Sequence, residues 1–241
     1  MTSMNQDDPD TRLRAALEEA SSSARLQSAL IAGTNPDLRF IEILLERCAV
    51  EPDFFVRDML TWALTRHSSA QTVPRLLDEV RVGGPQARSQ ALHTLSKIGD
   101  PRGWSAITPA VLRDPNDEVA RSAWRTAVSL VPAGQQADLA GQLCTQLGRG
   151  DREMQRSLSR AIAALGDVAL PMLAERVSHG DAGIRTHAIV TERLLHDPEA
   201  DFEAAVAEAK RVAALTGAPT LDAGHADPGS SSQSPESPPI Q

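Results

Sequence analysis

The side chains best suited to catalysis are few in this 241-residue sequence, and they stand apart from one another. None of the six histidines is followed by Glu or belongs to a His-x-x-x-His or Glu-x-x-His pair, the spacings that set two metal ligands on one helix face. Cys48 and Cys144 stand at apolar helix positions, in neither a zinc nor a disulfide spacing. No Gly-x-Ser-x-Gly motif or phosphate-binding glycine loop occurs. We therefore expect no metal, no cofactor and no catalytic residues.

Arginine is the polar residue that recurs at a regular position. The chain has 22 Arg against only two Lys, a bias that favours a bacterial genome of high GC content. One Arg recurs near the start of every second predicted helix, at intervals of 31, 33, 35 and 29 residues: Arg57, Arg88, Arg121, Arg156 and Arg185. An Asp stands four residues before three of them, where it can cap the helix and favour the positive end of its dipole: Asp53, Asp117 and Asp181.

The elements that position these residues are predicted to be helices. Apolar residues recur at i, i+3, i+4 and i+7, first as Ile41, Leu44, Leu45 and Cys48, and the same spacing returns in later segments. Aromatic residues make up only 3% of the chain and Tyr is absent, so the residues that favour strands are scarce. One helix pair cannot bury its own apolar face, so pairs that return every thirty-odd residues predict an all-α solenoid.

Four segments resemble HEAT repeats of the phycobilisome-lyase-like subclass: "DFFVRDMLTWAL", "QARSQALHTLSKIGD", "DEVARSAWRTAV" and "DAGIRTHAI". The resemblance implies a right-handed α-α superhelix of the HEAT/armadillo type, with about five helix pairs and capping helices. It also implies that the recurring Asp and Arg form a ladder between neighbouring repeats, and that second helices line a concave wall. Two departures weaken it: Gly84 replaces the Asp of the second repeat, and Arg156 falls one residue out of register in the fourth.

The expected organisation follows from the apolar spacing and the composition. Its segments are a disordered N-terminus (1–10), N-terminal capping helices (11–35), HEAT repeats (36–201), a C-terminal capping helix (202–216) and a disordered Pro/Ser-rich tail (217–241). The repeats are expected at 36–68, 71–100, 101–134, 135–167 and 168–201. Residues 36–196 carry 19 acids and 19 Arg or Lys, while the flanks carry 13 acids and five bases. The repeats are therefore neutral and both ends acidic.

Enzymes built from similar repeats provide the test of a catalytic alternative. Deoxyhypusine hydroxylases bind metal through His-Glu dipeptides, which this chain lacks. Alkylpurine glycosylases carry a Trp followed four residues later by a catalytic Asp; here the three Trp are followed by Arg66, Thr108 and Val128. The bilin lyases have no short motif to compare, so an enzyme of that class remains an alternative.

The predicted second helices carry many bases, and their acids concentrate in the first turn, so the sequence predicts one basic groove. Arg125 and Arg160 lie one turn beyond the recurring Arg, where other repeats place Thr61 or His93. We expect four residues to contact a partner: Arg125, Arg160, His93 and Lys97.

An acidic protein segment is the favoured partner of this groove. Nucleic acid is the second candidate, because the chain is acidic (pI ≈ 5.3) and poor in aromatic platforms. The sequence contains no run of 18 apolar residues, so no membrane segment is predicted. The two cysteines, which are not in a disulfide spacing, fit a reducing cytoplasm. A third possibility is that the acidic ends fold back over the groove. The oligomeric state is left open.

Overall fold

The computed structural model describes residues 8–216, and every regular element in that range is helical. The α-helices are α1 (Pro9–Leu17), α2 (Ser22–Thr34), α3 (Phe40–Val50), α4 (Phe54–Thr65), α5 (Ser69–Val82), α6 (Pro85–Ile98), α7 (Pro109–Leu112), α8 (Asp117–Leu130), α9 (Gln136–Cys144), α10 (Arg152–Ala163), α11 (Leu170–His179), α12 (Ala182–His196) and α13 (Phe202–Thr216). Two 3-10 segments, Pro101–Ala106 and Gly166–Ala169, precede α7 and α11. The predicted disordered tail and most of the predicted disordered N-terminus lie outside the described residues.

The helices form six consecutive pairs, α1/α2 to α11/α12. The even-numbered, second helices from α2 to α12 each pack on the next and build one layer, while α13 packs on α12. The prediction of an all-α solenoid of helix pairs is confirmed. The segment expected to be an N-terminal cap has the same pairing as the repeats, because α2 packs against α4 as α4 packs against α6.

Apolar residues from successive pairs merge into one core. This cluster extends from Leu13 to Ala188, and its leucines at helical spacing, such as Leu44, Leu60 and Leu64, are fully buried. A smaller cluster joins Val190 and Leu194 of α12 to four residues of α13: Phe202, Ala205, Val206 and Ala209. Each pair thus buries the apolar face of its neighbours, as a repeat array requires.

The fourth pair departs from regular geometry in its first helix. The sequence predicts one helix containing Ile107, Val111 and Leu112, but the chain forms a 3-10 segment and then the four-residue α7, each opened by a proline. Trp124 of α8 is fully buried, and its indole N–H donates to the carbonyl of Leu112 at 2.9 Å. This bond satisfies a helix-end carbonyl and ties α7 to α8.

Buried hydroxyl groups join neighbouring second helices. Ser159 and Thr191 lie 2.8 Å apart between α10 and α12, and Thr126 donates to the Leu92 carbonyl at 2.9 Å between α8 and α6. Because each hydroxyl finds a partner, these polar groups are accommodated in the layer without an unmet hydrogen bond.

Candidate partner-binding groove

Four arginines in equivalent positions close the turn between the two helices of a pair. Each stands four residues after the residue that caps its helix: Arg25, Arg57, Arg88 and Arg185. Arg57 Nη1 lies 2.9 Å from the carbonyl oxygen of Glu51 and 2.7 Å from that of Pro52. The last carbonyls of a helix have no partner within it, so the guanidinium supplies the missing donors.

Sequence reasoning missed Arg25. This side chain is buried and donates to the carbonyls of Glu19 and Ala20, between α1 and α2. The signal was present, since the capping Ser21 stands four residues before it, as Asp53 stands before Arg57. It was overlooked because residues 11–35 were read as a cap.

The predicted equivalence of Arg121 with the other recurring arginines was wrong, and Arg156 lies one residue out of register, as the sequence indicated. Each stands five residues after its capping residue, and neither donates to the preceding carbonyls within the described chain. In α10 the equivalent position holds Gln155, whose amide donates to the Gly150 carbonyl at 3.2 Å. Arg149 donates to the Asp114 carbonyl at 2.6 Å, the carbonyl equivalent to that of Glu51.

The capping carboxylates do not form the expected ladder with the recurring Arg. Asp53 and Asp181 accept hydrogen bonds from first-turn N–H groups of their own helices. The predicted cap at Asp117 is wrong: Asn116 caps α8, and Asp117 pairs with Arg149 at 2.7 Å.

Carboxylates two residues before the cap link neighbouring pairs instead. Glu51 accepts from Arg25 at 2.7 Å, with side-chain exposures of 0% and 8%, and Asp114 accepts from Arg88 at 2.5 Å. Burial opposes ionisation of Glu51, yet hydrogen bonds from Arg25, the Asp53 amide and Arg47 lower its pKa to about 2. The Arg25–Glu51 bridge is therefore charged, and both bridges are part of the packed array.

The row predicted to face a partner lies nine residues after each cap. It consists of Trp62 on α4, His93 on α6, Arg125 on α8 and Arg160 on α10. The predicted equivalence of Thr61 with this row is wrong, because Thr61 is buried and faces Thr94 of α6. We call the surface that these residues line on α4, α6, α8 and α10 the second-helix groove.

Two adjoining cavities make up the groove. The first, of about 670 Å³, holds His93, Lys97 and Arg125 together with Phe54 and Arg57, and has Asp58 and Glu118 as its acids. Burial, then the nearby Arg125 and Lys97, lower the pKa of His93, which favours the neutral ring. The groove thus brings together the four predicted contact residues, three here and Arg160 in the adjoining cavity.

The second cavity, of about 700 Å³, lies between α8 and α10. Arg125, shared with the first cavity, joins three further arginines there: Arg121, Arg156 and Arg160. Its one carboxylate is Glu153, which pairs with Arg121 at 2.7 Å. We call this space the four-arginine cavity.

Helix α13 closes the far end of the groove. Its apolar face covers Val190, the residue of α12 that continues the row. The Phe202 ring lies 5.2 Å from the Arg156 guanidinium carbon, and a Glu203 oxygen lies 3.9 Å from Arg156 Nη2. An acidic, aromatic turn of this chain therefore already contacts the basic groove.

Residues 41–129, from α3 to α8, match the family described as HEAT repeats. The chain therefore contains HEAT repeats in this part of its sequence. Its placement in the phycobilisome-lyase-like subclass stays a prediction. No curated protein matches the chain. A crystal structure of an engineered protein is 16% identical with a TM-score of 0.42, over 82% of this chain and 98% of that one.

Away from the groove, Cys48, Cys144 and His187 are buried in the packed array. Burial raises the pKa of Cys48 to about 12 and that of Cys144 to about 11, so both thiols are neutral. His187 accepts from the Gly148 N–H through Nδ1 at 2.9 Å, and Nε2 lies 3.0 Å from the Gln155 carbonyl. Among residues 8–216, no group of three or more His, Cys, Asp or Glu is arranged to hold a metal.

Within the described range, no single helix is long and apolar enough to cross a membrane. One pair, Arg152–Ala163 with Gly166–Ser178, meets the length and composition criteria only when joined across a bend of 116°.

Proposed function

We propose that this HEAT array is a non-catalytic scaffold that binds an acidic segment of a protein partner in the second-helix groove. HEAT repeats generally mediate protein–protein interactions. The observation that carries the proposal is a set of three exposed cations in the groove that have no carboxylate partner within the described chain: Lys97, Arg125 and Arg160.

In contrast, three arginines of the first helices have carboxylate partners. Arg75 of α5 pairs with Glu42 of α3 at 2.7 Å, and Arg81 pairs with Asp78 at 2.8 Å. Arg14 of α1 also pairs with Glu46 of α3. Since the chain has more acids than bases, unpaired cations side by side in one groove supply a surface complementary to an acidic ligand.

The distribution of acids along the groove favours a protein segment over nucleic acid. Asp58, Glu118 and Glu153 interrupt the basic surface, so a continuous phosphate backbone would pass close to carboxylates. The groove offers few rings for stacking, chiefly Trp62 and Phe54. The same scarcity of aromatic surface disfavours a bilin, the ligand of the lyase alternative.

Fluorescence anisotropy with the full chain tests this function. The probes are a labelled peptide of alternating Glu and Ala, its Lys and Ala counterpart, and a single-stranded oligonucleotide of equal length. We expect the acidic peptide to bind, with an affinity that falls as salt rises because the attraction is screened. Absence of acidic-peptide binding, or tighter binding of the oligonucleotide, would contradict the proposal.

A further inference from the structure

We propose that the four-arginine cavity receives a phosphoryl group, carried as a phosphorylated side chain on the acidic segment that binds the groove. The inference rests on the proposed function and adds to it the chemistry of the partner's anchoring group. It follows from the arginine N–H donors of the cavity, some of which have no acceptor in the described part of the chain.

Donors in this cavity outnumber acceptors. The Nε atoms of Arg121 and Arg156 are buried and have no hydrogen-bond partner among residues 8–216. Such donors are unfavourable unless an acceptor meets them, and native structures contain few of them. Because these Nε atoms are shielded from solvent, a ligand with several oxygen atoms would bind instead through the exposed guanidinium groups of Arg125 and Arg160.

The two outer arginines of the cavity are also poorly neutralised. The Arg125 guanidinium donates only to the Ser122 hydroxyl, at 3.3 Å, and the Arg160 side chain has no hydrogen bond or ion pair within residues 8–216. Burial, then repulsion from Arg121, lowers the pKa of Arg125, as expected where like charges are held together. The cavity therefore holds an excess of positive charge.

A phosphomonoester fits this charge and this geometry better than a carboxylate. It carries nearly two negative charges at neutral pH and three terminal oxygens, and planar guanidinium groups bind such oxygens in pairs. A single carboxylate offers one charge and two oxygens, and Glu153 already supplies one to Arg121. Glu118 also pairs with Arg121 at 3.2 Å, and a Glu203 oxygen lies 3.9 Å from Arg156. This leaves Arg125 and Arg160 without a carboxylate partner in the described range and able to bind a ligand of higher charge.

The acids at the borders of the cavity favour an isolated phosphoryl group over a phosphodiester chain. Glu118 and Glu153 lie in the first turns of α8 and α10, and Asp201 and Glu203 lie where α13 meets Arg156 and Arg160. A nucleic-acid backbone following the groove would place phosphates beside these carboxylates. One side chain can enter the cavity between them.

The test compares two labelled acidic peptides that differ only in a central serine, free or phosphorylated, bound to the full chain. We expect the phosphorylated peptide to bind at least tenfold more tightly at neutral pH. The Arg125→Gln/Arg160→Gln double variant should abolish that ratio. Lys97→Gln, in the neighbouring cavity, should weaken both peptides and keep the ratio.

Folding is checked by circular dichroism melts. Arg160→Gln alone provides a second variant that should reduce the ratio if the double variant unfolds, because this side chain is exposed and has no ion pair in the described range. Arg160→Lys keeps the charge but loses the planar fork, and should retain part of the preference.

Three results would overturn the inference, and they are distinguishable. Equal binding of both peptides leaves the proposed function intact and removes the phosphoryl site. If inorganic pyrophosphate binds but neither peptide does, the phosphoryl group is not carried on a peptide. That result would also contradict the proposed function. Tighter binding of a single-stranded oligonucleotide than of the phosphopeptide assigns the cavity to phosphodiesters.

Discussion

The arginines of this array have two roles that their contacts distinguish. Arg25 is buried, bridges two helix pairs through Glu51 and donates hydrogen bonds to backbone carbonyls. In contrast, Arg125 and Arg160 are exposed and lack carboxylate partners within the described residues. The first kind stabilises the fold, and the second kind is free to meet a ligand. Changes at the two sets should therefore separate stability from binding.

The Arg25–Glu51 bridge gives the clearest stability prediction. Glu51→Gln leaves Arg25 buried without its full counter-charge, so we expect a loss of about 3 to 5 kcal/mol in the free energy of unfolding. Glu46→Gln is the matched control: its pair with Arg14 is exposed to solvent, so its loss should destabilise the chain far less. Urea unfolding followed by circular dichroism measures both. Equal losses of unfolding free energy in the two variants would show that burial of the bridge does not add to stability.

His187 predicts how stability depends on pH. Burial is the main cause that lowers its pKa to about 4 in the folded chain, against about 6.5 when unfolded. Below the higher value the unfolded chain binds a proton that the folded chain does not, so stability is complete above about pH 6.5 and falls towards pH 4, by up to about 3 kcal/mol.

The free energy of unfolding, measured across that pH range, checks this expectation. His187→Gln should be less stable at neutral pH, because it disturbs the bonds to Gly148 and Gln155, but its stability should depend less steeply on pH. An unchanged pH dependence in the variant would show that other groups cause it.

At the scale of elements, close approach of neighbouring second helices depends on a small residue in α2. A Cβ at Gly33 would lie 2.4 Å from the Trp62 ring and 2.7 Å from the Cα of Ala63. Since backbone atoms cannot easily move aside, Gly33→Ala should destabilise the array by about 1 to 3 kcal/mol. Gly141→Ala in α9 meets nothing within 4 Å and should stabilise by about 0.4 to 1 kcal/mol.

Thermal and urea unfolding of the two glycine variants gives the comparison. Both substitutions add the same methyl group to a helix, so opposite signs isolate the effect of packing. A neutral Gly33→Ala would mean that α2 and α4 can separate at little cost.

The sequence predicted most helices because apolar spacing is a local property. The helix predicted around Ile107 became a 3-10 segment and the short α7, because prolines at 101 and 109 limit regular helix there. The misplaced Arg121 has a different cause. Asn116 caps α8 while Asp117 pairs with Arg149 of the next repeat, and that choice depends on a tertiary contact that spacing does not reveal.

The candidate site was predicted less completely than the fold. His93, Lys97, Arg125 and Arg160 were named from charge and spacing, and they line adjoining cavities. The excess of unpaired donors at Arg121 and Arg156 was not predicted, since it depends on which carboxylates other arginines have already taken. Those two residues had been assigned to a structural ladder.

For the whole molecule, the array is six stacked pairs with one shared core, closed at one end by α13. Such an array is rigid enough to hold a row of side chains at fixed spacing across α4 to α10. The acidic first turn of α13 contacts Arg156, beside the end of this row, so the groove available to a partner extends from Trp62 to Arg160.

Charge reversal in the groove tests the central claim most directly. Arg125→Glu with Arg160→Glu should leave the free energy of unfolding within about 0.5 kcal/mol, because both side chains are exposed and lack carboxylate partners in the described range. Affinity for the acidic peptide should fall at least tenfold, or about 1.4 kcal/mol. Arg12→Glu with Arg113→Glu, exposed arginines outside the groove, controls for net charge and should change binding little. A double groove variant that folds and still binds the acidic peptide at full strength would contradict the account.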